Sequence, residues 1–69
     1  MLKKRSFSLS RHRTSIALED EFWAVLEADA RAGGKSLAAL VGEIDATRAM
    51  RPLASALRVH ALAVAKRAP

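Results

Sequence analysis

From residue 19 onward the apolar positions recur at helical spacing, whereas before it they alternate as in a strand. Glu19 to Ala32 contains neither Pro nor Gly, and Phe22, Val25, Leu26 and Ala30 return on one face. Glu19, Asp20 and Glu21 occupy a first turn, where the aligned peptide dipoles favour anions. Gly33-Gly34 supplies the stop, one glycine suiting a left-handed cap and the other opening the turn. The pattern predicts a helix over 19–32. Ser36 reads as the N-cap of a second helix over 37–48, its hydroxyl accepting from a free first-turn amide. Leu37, Leu40, Val41 and Ile44 follow the i, i+3, i+4, i+7 rule there. Gly42 costs about 1 kcal/mol against Ala in such a helix; it either admits a close partner helix or is simply tolerated. Arg51-Pro52 breaks the pattern, because Pro suits a first helical turn and disfavours helix in the residue before it. A third helix from Pro52 to about Lys66 follows, ending in Lys66 and Arg67 as a C-terminal dipole prefers.

The segment before residue 19 has period two. Thr14, Ile16 and Leu18 fall on one face, and Arg13, Ser15 and Ala17 on the other, which predicts a strand over 13–18. So short a strand needs a second one to share its hydrogen bonds. Either Ser6-Phe7-Ser8-Leu9 supplies it, with Ser10-Arg11-His12-Arg13 as the turn, or another copy of the chain does. Phe7 and Leu9 are out of phase with Ile16 and Leu18, so an unbroken strand would place them on the wrong face. A bulge or turn near Ser10 is therefore expected.

A chain of 69 residues makes one domain at most, and one this small usually needs a staple or a partner. It has no cysteine, which excludes disulfides and thiolate metal sites, yet 51% of its residues are hydrophobic, too many for disorder. Oligomerisation is the expected way out. Charge is segregated. Lys3, Lys4, Arg5, Arg11 and Arg13 precede residue 19 without a single acid, and all seven acids lie between Glu19 and Asp45. Arg48, Arg51, Arg58, Lys66 and Arg67 follow, for a net charge of +5. Such a basic start suits a polyanion, or else a solvated tail.

Enzymatic chemistry finds no foothold. His12 and His60 are isolated, no H-E-x-x-H motif occurs, and Ser36 and Ser55 lack a neighbouring His with an orienting acid. Gly33-Gly34 is a turn and not a phosphate loop. Met1 to Arg5 looks like the basic start of a signal peptide, but no apolar stretch follows it. Leu53 to Ala65 is interrupted by Arg58 and His60 and falls short of the ~20 apolar residues of a membrane span. The expectation is a cytoplasmic protein with no cofactor, no metal and no small-molecule effector.

One strand, a helix, a Gly-containing turn and a second helix opening with Ser is the order of the ribbon-helix-helix superfamily. The stretch from His12 to Asp45 resembles it through Ile16-Ala17-Leu18, Glu19-Asp20-Glu21-Phe22-Trp23 and Gly34-Lys35-Ser36-Leu37. With Arg11-His12-Arg13-Thr14-Ser15, Glu43-Ile44-Asp45-Ala46 and Leu53-Ala54-Ser55-Ala56-Leu57-Arg58, it looks like a compact bacterial subfamily that carries a third helix. The resemblance implies a mainly α fold with one short N-terminal strand, in an intertwined homodimer whose two strands pair as an antiparallel ribbon. The chain then divides into a basic arm (1–11), a ribbon-helix-helix core (12–50) and a third helix with its tail (51–69).

By the same resemblance the ribbon enters the major groove of double-stranded DNA. Arg13, Ser15 and Ala17 face the bases, although the family usually has a polar residue at the position of Ala17. Lys35, Ser36 and Leu37, at the second helix's start, hold phosphate through free backbone amides, and Lys3, Lys4, Arg5 and Arg11 follow the backbone from the arm. Ile16, Leu18, Phe22, Leu40, Val41 and Ile44 form the dimer core. Trp23, beside Phe22 on the acidic helix, reads as packing and not as a base-stacking platform. The function implied is a sequence-specific transcriptional regulator, a repressor. Its rivals are a dimeric protein-interaction module with little DNA affinity, for which Ala17 and the acidic middle speak, and a membrane-surface peptide built on the basic third helix.

Overall fold

The structure, a computed structural model, describes residues 1–67. It runs β1 (Leu2–Leu9), β2 (His12–Glu19), α1 (Asp20–Ala32), α2 (Leu37–Thr47) and α3 (Leu53–Arg67). Residues 68 and 69, at the end of the segment expected to hold the third helix and its tail (51–69), lie outside the described residues.

The expected basic arm is a strand. β1 pairs antiparallel with β2 along its whole length, from Leu2 opposite Glu19 to Leu9 opposite His12. Of the two candidate partners for the 13–18 strand, the chain's own N-terminus pairs with it, as a two-stranded sheet within one chain. The turn is shorter than Ser10–Arg13. Ser10 and Arg11 alone form it, both at positive φ (49° and 71°), as a two-residue type I′ hairpin requires. This corner resolves the phase conflict. In this register every odd residue of β1 faces an even residue of β2, so Phe7 and Leu9 come onto the same face as Thr14, Ile16 and Leu18.

That inner face lies on the helices. Phe7, Leu9, Ile16 and Leu18 are buried with Trp23, Leu26, Leu40, Val41, Ile44 and Leu57. Apolar burial of this kind contributes roughly 25 cal/mol per Å2 removed from water. Within α1 the inward aromatic is Trp23 and not Phe22, which is only half-buried. The indole ring lies 5.9 Å from Phe7, its Nε1 donates to the Lys3 carbonyl at 2.8 Å, and the Arg5 guanidinium covers it at 5.1 Å. Arg5 Nη2 then donates to Glu27 Oε1 at 3.1 Å. One side chain thus fastens β1 to α1, which is why residues 2–9 are not a loose arm.

Helix ends follow the sequence closely. Gly33 caps α1 and Gly34 takes φ 69°, while Lys35 N donates to Ala30 O and Gly34 N to Arg31 O, both at 3.0 Å. This is a Schellman closure, in which the paired bonds satisfy carbonyls that the helix leaves free. Arg48 caps α2, Ala49 turns the chain at φ 55°, and Ala56 N donates to Pro52 O at 2.9 Å to open α3. Two polar links hold α3 from outside: Arg58 Nε to Glu19 Oε1 at 3.2 Å, and His60 Nε2 to Asp29 Oδ2 at 2.8 Å.

Candidate nucleic-acid interface

In a strand, residues at i and i+2 share a face, so burying Phe7, Leu9, Ile16 and Leu18 decides what the other face shows. Across it the pairs are Ser8 with Arg13, Ser6 with Ser15, and Lys4 with Ala17. Arg13, Ser15, Ser6, Ser8 and Lys4 are exposed, and Ala17 is half-buried. Ser6 and Ser15 hold each other, their hydroxyl oxygens 2.9 Å apart. The sequence-derived trio Arg13, Ser15 and Ala17 therefore occupies one line on the open face, beside a second line from β1 that the sequence reading did not include. A signal was there: Lys4, Ser6 and Ser8 alternate with Arg5, Phe7 and Leu9 just as Arg13, Ser15 and Ala17 alternate with Thr14, Ile16 and Leu18.

Charge grades along this hairpin. Arg11, His12 and Arg13 crowd the tip, whereas at its root Glu19, Asp20 and Glu21 stand beside Lys3 and Lys4. Glu19 is also tied to Arg58. A hydrogen bond from its own backbone amide, more than the nearby guanidinium, holds its carboxyl below the ordinary carboxylate value, against an opposing effect of desolvation. Between Lys4 and the tip the open face carries no carboxylate.

The other expected contacts are scattered. Arg5 faces inward onto Trp23 and Glu27, which occupies the guanidinium expected to track a DNA backbone. Lys3 shares the phase of Arg5, and its carbonyl receives the indole. Arg11 sits exposed at the tip. Ser36 caps α2 as expected, accepting from Ala39 N at 3.0 Å. Lys35 beside it donates to both carboxylate oxygens of Glu43, at 2.8 and 2.7 Å. Leu37 is half-buried against the core.

Ile16, Leu18, Leu40, Val41 and Ile44, expected to form a core between two chains, are buried within this one. Phe7 and Leu9 of β1 are buried in the same cluster. Phe22, the remaining member, packs on the edge of that core under the Arg58 guanidinium, 5.8 Å from its ring.

A groove between α2 and α3 is lined by Thr47, Arg48, Arg51 and His60, but Arg48 is bound to Asp45 and His60 to Asp29. No cluster of potential metal ligands occurs among the described residues. No helix among them is long and apolar enough to cross a membrane.

Searches of curated proteins and of solved structures return no match. A family model described as a ribbon-helix-helix domain matches residues 2–65, from the first residue of β1 almost to the end of α3. A hairpin ribbon followed by three helices, matched over that span, belongs to the ribbon-helix-helix domain family.

Proposed function

We propose that the chain binds double-stranded DNA sequence-specifically, as a homodimer, through the open face of its β1–β2 sheet, and acts as a transcriptional repressor. The observation that carries this reading is the open face itself: small hydroxyls flanked by Lys4 and Arg13, free of carboxylates up to a basic tip. A two-stranded ribbon fits the major groove, where arginine can pair with guanine in bidentate fashion and serine can donate or accept. Membership of a family that generally binds DNA supports the same reading. A second copy is supported by exposed apolar side chains away from the sheet's open face, Met50 in the α2–α3 turn and Val59 and Leu62 on α3.

The test is a salt titration of duplex binding, with sedimentation in parallel. If a dimer makes about 6 phosphate contacts, affinity should fall roughly a thousandfold between about 50 and 200 mM salt. A flat salt response, with capture of a specific protein in the absence of DNA, would favour the interaction module. Sedimentation should give twice the 7.5 kDa chain mass. A monomer that binds DNA normally would remove the dimer and leave the ribbon.

A further inference from the structure

We infer that the groove between α2 and α3 is a binding site for a small organic anion, a monocarboxylate with an apolar body, whose carboxylate pairs with Arg51. The inference goes beyond the DNA-binding reading and does not depend on it. The expectation of no small-molecule effector rested on the absence of a sequence motif for one. The groove arises only in the fold, where the turn after α2 sets Arg48 and Arg51 beside side chains of α3.

Its volume is about 400 Å3, within the range of roughly 300–1,000 Å3 of small-ligand clefts. The apolar lining comes from Ile44 of α2 and from Ala56 and Val59 of α3. Ile44 and Ala56 are buried, whereas Val59 stays 47% exposed. An apolar ligand body laid against Val59 would take from water a surface that the fold leaves wet.

The polar side of the groove is set before any ligand arrives. Arg48 Nε donates to Asp45 Oδ1 and Arg48 Nη1 to the Arg51 carbonyl, both at 2.7 Å, while Arg51 N donates to Arg48 O at 3.0 Å. His60 is tied to Asp29 of α1. These bonds fix the turn that carries Arg51, and they hold Ala49 at φ 55°, a conformation that costs a residue with a side chain. A turn already ordered in this way has less freedom to lose on binding.

Charge selects the ligand. Among the described residues the Arg51 guanidinium has no hydrogen-bond or ion-pair partner, unlike those of Arg5, Arg48 and Arg58. No carboxylate lines the groove, and no acid occurs from Ala46 to Arg67. The Thr47 hydroxyl donates back to the Glu43 carbonyl, which leaves Arg51 as the main donor to an anion. A planar guanidinium matches a carboxylate through two parallel hydrogen bonds. One such fork beside an apolar wall fits one carboxylate on an apolar body, whereas inorganic phosphate would leave the wall unused.

Amide chemical-shift titration of the full chain tests this, with hexanoate, its neutral amide hexanamide, and inorganic phosphate as probes at constant ionic strength. Hexanoate should give saturable shifts centred on residues 44–60. Hexanamide and phosphate should bind about tenfold or more weakly, the loss of a charge-assisted hydrogen bond or of the apolar contact. Arg51 is exposed, so Arg51→Gln leaves the core alone, and it should weaken hexanoate by a similar factor. Arg51→Lys should recover part of that loss, since it keeps the charge without the fork. Arg67→Gln, at the far end of α3, should bind as wild type does. Unchanged spectra outside 44–60 check that each variant is folded. The inference is overturned if no probe gives saturable shifts, if hexanamide or phosphate matches hexanoate, or if Arg51→Gln binds hexanoate as wild type does. It is overturned too if concentrating the wild type alone reproduces the hexanoate shifts and blocks its binding, because a second copy then fills the groove.

Discussion

Ser6 and Ser15 face each other across the open side of the sheet with their hydroxyl oxygens 2.9 Å apart. Counting from the hydrogen-bonded pair Leu9–His12 that closes the turn, Ser6–Ser15 is a non-hydrogen-bonded pair, the kind whose side chains approach most closely. A disulfide needs Cβ atoms about 3.5–4.5 Å apart, and the chain has no cysteine of its own to interfere.

The double substitution Ser6→Cys with Ser15→Cys should therefore oxidise to an intrachain disulfide, running as a 7.5 kDa species on a non-reducing gel. DNA binding separates two architectures. If a ribbon formed within one chain does the reading, the oxidised and reduced forms of this variant should bind duplex equally, since both lack the two hydroxyls and differ only in the cross-link. Disulfide-linked dimers as the main product would show instead that β1 and β2 of different chains lie side by side.

The helices were largely legible in the sequence. Their starts and stops rest on residues whose effect is local: Ser36 caps α2, Gly34 takes the positive φ that closes α1, and Pro52 opens α3. The N-terminus was not, because its structure depends on a pairing that no local residue declares. Ser10-Arg11 lacks the Asn-Gly or Asp-Gly signature of a type I′ turn, so the corner showed only as a phase conflict between Phe7 and Ile16. Without the corner, Lys3 to Arg5 reads as a basic tail and Ser6 and Ser8 have no assignable face. That Trp23 is the fully buried aromatic of α1, with Phe22 half-buried beside it, has a related reason. The indole is held by the Lys3 carbonyl and Arg5, partners that exist only once β1 has folded back.

The turn also gives a stability prediction. A side chain in the left-handed region costs about 1–2 kcal/mol, and Arg11 sits there at φ 71°. Arg11→Gly should remove that strain, partly offset by the greater freedom of glycine in the unfolded chain. A net gain of about 1 kcal/mol is expected in thermal or urea unfolding. A loss of stability would mean that the tip does not hold this two-residue turn.

Acid should weaken the α3 attachment. The Glu19 carboxyl is held below its ordinary value by its own amide hydrogen bond and then by Arg58. Its contribution is complete above the unfolded-state value and is lost as pH falls through the folded one. Glu19→Gln should thus melt below wild type at neutral pH, with the gap closing in acid. A gap that stayed constant with pH would show that the charge on Glu19 plays no part in stability.

Gly42 distinguishes a free helix face from a covered one. A Cβ built there meets nothing within 4 Å in the chain, so Gly42→Ala should stabilise the monomer fold by about 1 kcal/mol through helix propensity alone. If the substitution instead loosens a dimer, as read by sedimentation across a concentration series, a partner helix packs against that glycine.

Lys35 presents a competition that can be shifted by one substitution. Its ammonium lies 2.8 and 2.7 Å from the two carboxylate oxygens of Glu43. A phosphate arriving at the α2 start would have to share that ammonium or displace the carboxylate. Lys35→Ala alone should then weaken duplex binding only slightly, because a contact already neutralised within the protein releases few counterions. Glu43→Gln frees the ammonium without changing the size of the side chain. It should raise affinity severalfold at low salt and steepen the plot of log affinity against log salt by about 0.9 per chain, the increment of one added phosphate contact. Adding Lys35→Ala to Glu43→Gln should cancel both effects. If Glu43→Gln leaves the slope unchanged, the α2 terminus does not meet the DNA backbone, and the ribbon alone must account for binding.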